Sequence, residues 1–177
     1  MTEKSKVILY IAMSLDGFIA RENNDIDWLS IVERSNEDYG YGEFIKNVDT
    51  VIMGRKTYDK VLSFRIEFPH KDKKCYVLSK SLEGTDGNVE FYKDSIEGLI
   101  NNLKNEGRKN IFIDGGAEAV REFRSKNLID EYIISIIPIL IGSGVRLFKE
   151  VYTENQLRLI ESKTFESGLV QLRYERM

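Results

Sequence analysis

Val51-Ile52-Met53-Gly54-Arg55-Lys56-Thr57 and Phe112-Ile113-Asp114-Gly115-Gly116-Ala117-Glu118 repeat one pattern. A short apolar run with strand character stops at glycine, and a helix-forming segment starts at once. Such a junction leaves the first amides of the helix unpaired and sets the positive end of its dipole beside the strand terminus. Glycine removes the Cβ that would keep a phosphate away. Ligands of open α/β sheets sit outside the carboxyl ends of strands, so two junctions on neighbouring strands can hold the two halves of a dinucleotide. A single junction of this kind is usually only a turn. The pair, one with a double glycine and one with Arg55-Lys56-Thr57, shifts the balance toward a phosphate cradle. The G-x-G-x-x-G fingerprint is absent, so an ordinary Rossmann domain is not supported.

Outward from these junctions the alternation continues. Val7–Met13 is apolar on both faces, as in a central strand covered on both sides. Asp16-Gly17 follows as a turn, with the carboxylate able to bond to backbone N–H groups nearby. Helices are predicted over Asn36–Lys46, Arg55–Phe64, Ser95–Glu106 (with a Ser or Asp cap in front and Gly107 behind) and Ala117–Ser125. Strands are predicted at Thr50–Met53, Tyr76–Leu78, Val89–Tyr92 and Asn110–Asp114. Glu131–Ile141 reads as a long β-branched strand with Pro138 inside it, hence a bend or an edge. Leu157–Phe165 and Leu169–Arg176 alternate around Ser167-Gly168 and read as a terminal β-hairpin. Strands alternate with helices first and consecutive strands come last. That order predicts a mostly parallel α/β sheet finished by antiparallel strands, in one domain over residues 1–177.

Composition narrows the function. The 177 residues are 42% hydrophobic, enough for one sizeable core. Lys and Arg number 26 against 29 Asp and Glu, so a nucleic-acid partner is not expected. The run Val7–Met13 is far shorter than the roughly 20 residues of a membrane span, and no signal peptide is visible, so a cytoplasmic protein without a membrane partner is expected. One cysteine (Cys75) precludes an internal disulfide. With one histidine (His70) beside it, a zinc site of His and Cys is disfavoured, and no metal is expected. A Ser-His-Asp hydrolase would have to use His70, which sits in the charged stretch PHKDKK.

Other residues suggest ligand contacts. Ser79-Lys80-Ser81 follows a strand, and two hydroxyls around a cation suit a phosphate ester. Together with Arg55 and Lys56 they favour a cofactor bearing a 2′-phosphate, while Lys80 taken alone reads rather as part of a solvated loop. Trp28 reads as core. Glu33, Glu37, Asp38 and Glu43 read as a solvated helix face. Only a carboxylate pushed into an apolar cleft acquires a raised pKa and acts as a proton relay.

The segments MSLDGFIA (13–20), DWL (27–29), VIMGRKTYD (51–59), YVLSKS (76–81), IFIDGG (111–116) and LIDEYIISIIPILIGSGVRLF (128–148) occur in the order seen in dihydrofolate reductase-like proteins. The chain most resembles the branch that contains the reductase domain of riboflavin biosynthesis. The resemblance implies a three-layer α/β fold around a central mixed sheet of about eight strands, with helices on both faces and a C-terminal antiparallel hairpin. It implies NADPH as hydride donor to a small heterocyclic (pterin-like or pyrimidine-like) or carbonyl substrate. Gly54, Arg55, Lys56 and Thr57 match the run that binds the cofactor phosphates, and Ser79, Lys80 and Ser81 the segment at the adenosine end. Gly115, Gly116, Ala117 and Glu118 match the turn under the pyrophosphate and nicotinamide, and Ala12 and Ile19 frame the nicotinamide. For the substrate-side carboxylate, counting back from the MGR run lands on Asp38, the preferred candidate, and counting forward from Trp28 lands on Glu33. The folate-binding arginine has only Arg65 as a candidate. A stand-alone 5-amino-6-ribosylaminouracil phosphate reductase of riboflavin biosynthesis and a non-catalytic nucleotide-binding module are the alternatives. The H-x-E and C-x-x-C motifs of the deaminase that often precedes the reductase are absent. The Ile-rich strand 133–141 and the terminal hairpin suit an edge buried against a second copy, so a homodimer is expected, the alternative being an edge covered within the chain.

Overall fold

The computed structural model describes residues 5–177. In chain order the elements are β1 (Val7–Ser14), β2 (Phe18–Ala20), a 3₁₀ helix (Asp27–Val32), α1 (Tyr41–Lys46), β3 (Val48–Gly54), α2 (Arg55–Ser63), β4 (Lys74–Leu78) and β5 (Thr85–Asp86). Then come β6 (Val89–Tyr92), α3 (Ile96–Asn105), β7 (Asn110–Ile113), α4 (Ala117–Ser125), β8 (Glu131–Ile137), β9 (Val145–Arg146), β10 (Leu157–Thr164) and β11 (Val170–Arg176). Among the described residues nine strands make one sheet, in the order β10-β11-β8-β1-β7-β3-β4-β6-β5. The strands from β8 to β6 in that order run parallel, while β11, β10 and β5 run antiparallel to their neighbours. The ninth strand beyond the expected eight is β5, a two-residue addition to one edge. Separately, β2 and β9 form a small antiparallel ladder.

Three layers follow from where the apolar side chains go. On one face of the sheet Ile96, Leu99, Ile100 and Leu103 of α3 and Val120 and Phe123 of α4 pack on Val7, Leu9, Ile52, Ile111 and Ile113. On the other face Tyr41 and Phe44 of α1 and Tyr58 of α2 pack on Val51, Met53, Cys75, Val77 and Phe112. Strand side chains alternate between these two clusters, which is why the central strands read as continuous apolar runs. A third cluster, built on Trp28, Val32, Ile137 and Leu169, covers the carboxyl ends of β1 and β8, with Trp28 buried as expected.

Two expected elements change. The helix predicted over Asn36–Lys46 is only α1, because Asn36 (φ 67°), Tyr39 (φ 57°) and Gly40 (φ 84°) are left-handed and interrupt the α-helical path. Glu131–Ile141 stops at Ile137, since Pro138 has no N–H to continue the ladder. Its strand is interior, between β11 and β1, so the proline ends a central strand and does not mark an edge.

Candidate active site

The parallel strands bring the carboxyl ends of β1, β7, β3 and β4 to one rim of the sheet. There the two glycine junctions touch. The N–H of Gly54 donates to the carbonyl oxygen of Gly115 at 3.2 Å. A Cβ on Gly116 would stand 3.0 Å from Thr57 Oγ1 and 3.8 Å from Gly54 Cα, so a side chain there would crowd the Thr57 hydroxyl, at a φ of +78° that favours glycine. Both helices that leave the junctions lack a side-chain cap, whereas α3, further along the sheet, is capped by Ser95 accepting from Gly98 N–H. No capping side chain therefore competes for the first amides of α2 and α4.

Around this cradle the predicted contact residues divide. Leu78 pairs with Gly54 in the β3–β4 register, which puts Ser79-Lys80-Ser81 on the same rim. Ser79 is buried, and its hydroxyl oxygen accepts from the N–H groups of Ser81 and Leu82, so it shapes the turn. Lys56 and Lys80 are exposed and make no ion pair among the described residues, while Arg55 Nε bonds Asp59 at 2.7 Å. Ala117 is buried. Glu118 turns outward to Lys149 and Arg121, and the bond from Lys149 holds its carboxyl below the usual range. Ile19 packs on the main core, and Ala12 lines the neighbouring cavity.

That cavity, of about 360 Å³, lies beside β1 and β8. Leu29 and Val32 of the 3₁₀ helix and Ile137 and Leu169 give it an apolar wall, and Tyr10, Tyr41 and Ser135 add polar groups. Tyr10 OH donates to the carbonyl oxygen of Tyr39 at 3.0 Å, and the Gln171 amide donates to the Tyr10 and Ser135 oxygens at 3.2 and 3.1 Å. Burial raises the Tyr10 phenol. Burial, reinforced by the Asp114 charge, pushes Tyr41 up to about 12. Both therefore stay protonated donors at neutral pH.

Glu33, Glu37 and Asp38 stand at the mouth of the cavity with Arg34. The Asp38 oxygens accept from Gly40 and Gly42 N–H, each at 2.9 Å, and these bonds hold the carboxyl below its ordinary range. Asp38 thus closes the entry to α1. The Glu33 side chain has no hydrogen bond among the described residues and is exposed. Arg65 lies in an exposed left-handed turn after α2, away from the cavity lining.

Two features lay outside the sequence reading. Asp16 reaches across the fold: Oδ1 accepts from Ser14 Oγ at 2.6 Å and Ile141 N–H at 3.1 Å, and Oδ2 from Gly142 N–H at 2.7 Å. Its expected nearby backbone partners are replaced by amides of a distant loop. His70, although it sits in a charged stretch, is buried with Nε2 2.8 Å from Asp114 Oδ2. Periodicity carries no signal for this contact. Among the described residues no group of His, Cys, Asp and Glu is placed to hold a metal, and no helix is long and apolar enough to cross a membrane.

Comparison with known proteins agrees with this architecture. The family model of the RibD C-terminal domain matches residues 5–171. The uncharacterised protein YwjB of Bacillus subtilis (strain 168) is 45% identical over 172 residues, covering 97% of this chain and 98% of its own. A crystal structure from Shewanella sp. PV-4, of a protein provisionally assigned to riboflavin biosynthesis, superposes with a TM-score of 0.91 at 35% identity, over 97% of this chain and 99% of that one. The fold also recurs in a Thermotoga maritima diaminohydroxyphosphoribosylaminopyrimidine deaminase/5-amino-6-(5-phosphoribosylamino)uracil reductase, with a TM-score of 0.72 at 16% identity, over 98% of this chain but 57% of that one. With the glycine cradle and the nine-stranded sheet, the match along nearly its whole length makes this chain a member of the RibD C-terminal domain family.

Proposed function

We propose that the protein is an NADPH-dependent reductase of a small heterocyclic or carbonyl substrate. The observation that carries this reading is the contact of two uncapped glycine junctions beside a cavity large enough for one heterocycle. The cradle at Gly116 fits a phosphate group, since a side chain there would occupy the approach to Thr57 and Gly54. Bound at this rim, NADPH would supply a hydride to a C=N or C=O carbon. The chain's own residues hold and orient. The amides of Thr57, Gly115 and Gly116 would receive the phosphates beside Gly54, whose own N–H is held by Gly115, with Arg55, Lys56 and Lys80 toward the 2′-phosphate. Ala12 and Tyr10 would set the substrate against the nicotinamide, and holding donor and acceptor together in good orientation can supply roughly 7–11 kcal/mol of the barrier. Of the two candidate acids Glu33 suits proton delivery better, through water at the open mouth, because Asp38 is already engaged by two amides.

Family membership favours a pyrimidine-type substrate, as in the reductase named above, and a homodimer is part of the same proposal. The test titrates NADPH against the fluorescence of the single tryptophan, Trp28, and follows loss of reduced-nicotinamide absorbance over a panel of pterins, ribosylaminopyrimidine phosphates and simple carbonyls. Oxidation with the ribosylaminopyrimidine phosphate assigns the riboflavin-type reaction. Tight NADPH binding with no oxidation of any compound leaves a nucleotide-binding module. Arg55→Ala is expected to weaken NADPH about tenfold and NADH little, the loss of one charge-assisted phosphate contact. Equal losses for both cofactors remove Arg55 from 2′-phosphate recognition.

A further inference from the structure

The single histidine is unused in the reading above, yet its side chain is only 2% exposed. Phe68 and Phe112 stand edge-on to the His70 ring, with centroids 5.7 and 5.9 Å away. Its carbonyl oxygen accepts from Asn88 Nδ2 at 2.8 Å and Lys73 N–H at 3.0 Å. Ring and backbone are thus held in one place. Nε2 meets Asp114 Oδ2 at 2.8 Å, while Nδ1 is buried without a hydrogen-bond partner among the described residues. An ionised carboxylate only accepts, so the ring proton belongs on Nε2, and a proton on Nδ1 would be buried with nothing to receive it. Phenylalanine would fill the same aromatic slot without stranding a nitrogen, so packing alone does not account for histidine here.

Asp114 is the other half. Its side chain is 25% exposed, and the next two residues are the cradle glycines. Its N–H donates to the Ile52 carbonyl oxygen at 3.0 Å, which ties its backbone to β3. Leu9 pairs with Ile113 across β1 and β7, so strand alternation sends Asp114 to the face that carries Tyr10 and Phe112. Tyr10 and Tyr41 line the cavity and the Asp114 charge acts on Tyr41, so the carboxylate stands on the sheet face the cavity opens on, next to the lining residues and not among them. Oδ1 makes no hydrogen bond among the described residues.

We propose that His70 is a positioning residue: its Nε2–H fixes the Asp114 carboxylate at the lip between cradle and cavity, leaving Oδ1 to accept an N–H of the bound substrate. The class this selects is a heterocycle with an amino group or ring N–H. A simple ketone or aldehyde offers no such donor. The proposal rests on the reductase reading, and its test separates the two.

With one histidine, a ¹⁵N-histidine spectrum of the whole protein shows one imidazole. A protonated Nε2, an unprotonated Nδ1 and a clear shift in Asp114→Asn are expected. A resonance that Asp114→Asn leaves in place overturns the pairing, whatever the activity. His70→Phe keeps the aromatic packing and loses the donor, and His70→Gln keeps an N–H donor. On a reducible amino-heterocycle His70→Phe is expected to lower kcat/KM about tenfold, and His70→Gln to recover most of it. NADPH affinity and the rate on any simple carbonyl substrate stay near wild type in both. Wild-type kcat/KM in His70→Phe sinks the proposal and leaves the reductase reading standing. Should wild type reduce nothing, that reading fails, and titration with a pterin decides the rest: a moved imidazole resonance supports the placement, a still one overturns it. If His70→Phe does not fold, His70→Gln and Asp114→Asn carry the test.

Discussion

Gly116 shows how one backbone angle and one missing atom let two chain segments approach closely. Its φ is +78°, and a Cβ there would crowd Thr57 Oγ1 at 3.0 Å. Alanine must therefore take a positive-φ conformation with ψ 129°, outside the left-handed helical well, costing about 1–3 kcal/mol, and push on the neighbouring hydroxyl. Gly116→Ala is expected to lower stability by about that much in urea denaturation, and to weaken NADPH by more than the stability change explains. Unchanged NADPH affinity in a folded Gly116→Ala protein would remove the phosphate cradle from this junction. Asp38 makes the complementary point. An acid chosen by counting along a motif turns out to serve two backbone amides, and those bonds stabilise its charged form. That is the reverse of the shift a proton donor at neutral pH requires.

Among the elements, Asp16 acts as a staple between the turn after β1 and the loop that follows β8. Its carboxylate takes the N–H groups of Ile141 and Gly142 and the Ser14 hydroxyl, and Ser14 Oγ in turn accepts from Phe18 N–H at 2.9 Å. These bonds, the Ser14 one foremost, bring the carboxyl from its ordinary 3.8 to about 2. A depressed folded value stabilises the fold in full above the unfolded pKa and loses that contribution as pH falls through the folded one. Wild type should thus lead Asp16→Asn in denaturation midpoint at pH 5 to 7, with the gap closing between about pH 4 and pH 2. A gap that does not depend on pH would mean that the carboxylate charge adds nothing. The strands and helices on either side of this staple were legible as apolar runs cut by glycine. The predicted bounds of α4 and β6 coincide with the observed ones, because each is a local pattern with clear stops. Residues 33–40 were not legible, since the left-handed Asn36 and Tyr39 answer to a tertiary fit around the cavity. The short ladder of β2 and β9 rests on a pairing of chain segments more than a hundred residues apart, and no local periodicity reports that. The proposed cofactor side of the site was read from glycine placement. The His70–Asp114 pair was not, for a contact between residues 44 apart leaves no periodic trace.

For the molecule as a whole, the two ends of the sheet are unequal. One ends in β5, two residues long, too short to invite pairing. The other ends in β10, eight residues long and exposed along its entire length. Leu157, Leu159 and Ile160 are exposed on it, at 37%, 52% and 43%. A long strand edge with apolar side chains is an open template for another chain, and natural proteins commonly shorten, charge or cover such an edge. Ion pairs from Arg158 to Glu175 and from Lys163 to Glu161 put charge on β10 but leave its three apolar side chains uncovered. A second copy seated on this hairpin would cover them symmetrically. Light scattering behind size exclusion is expected to give a dimer for wild type and a monomer for the double variant Leu159→Asp with Ile160→Asp. The monomer should bind NADPH as wild type does, because the substitutions lie on the outermost strand and the proposed phosphate cradle spans the ends of β3 and β7. A wild-type monomer at tens of micromolar, or a dimer indifferent to both aspartates, would rule out β10 as the joining edge.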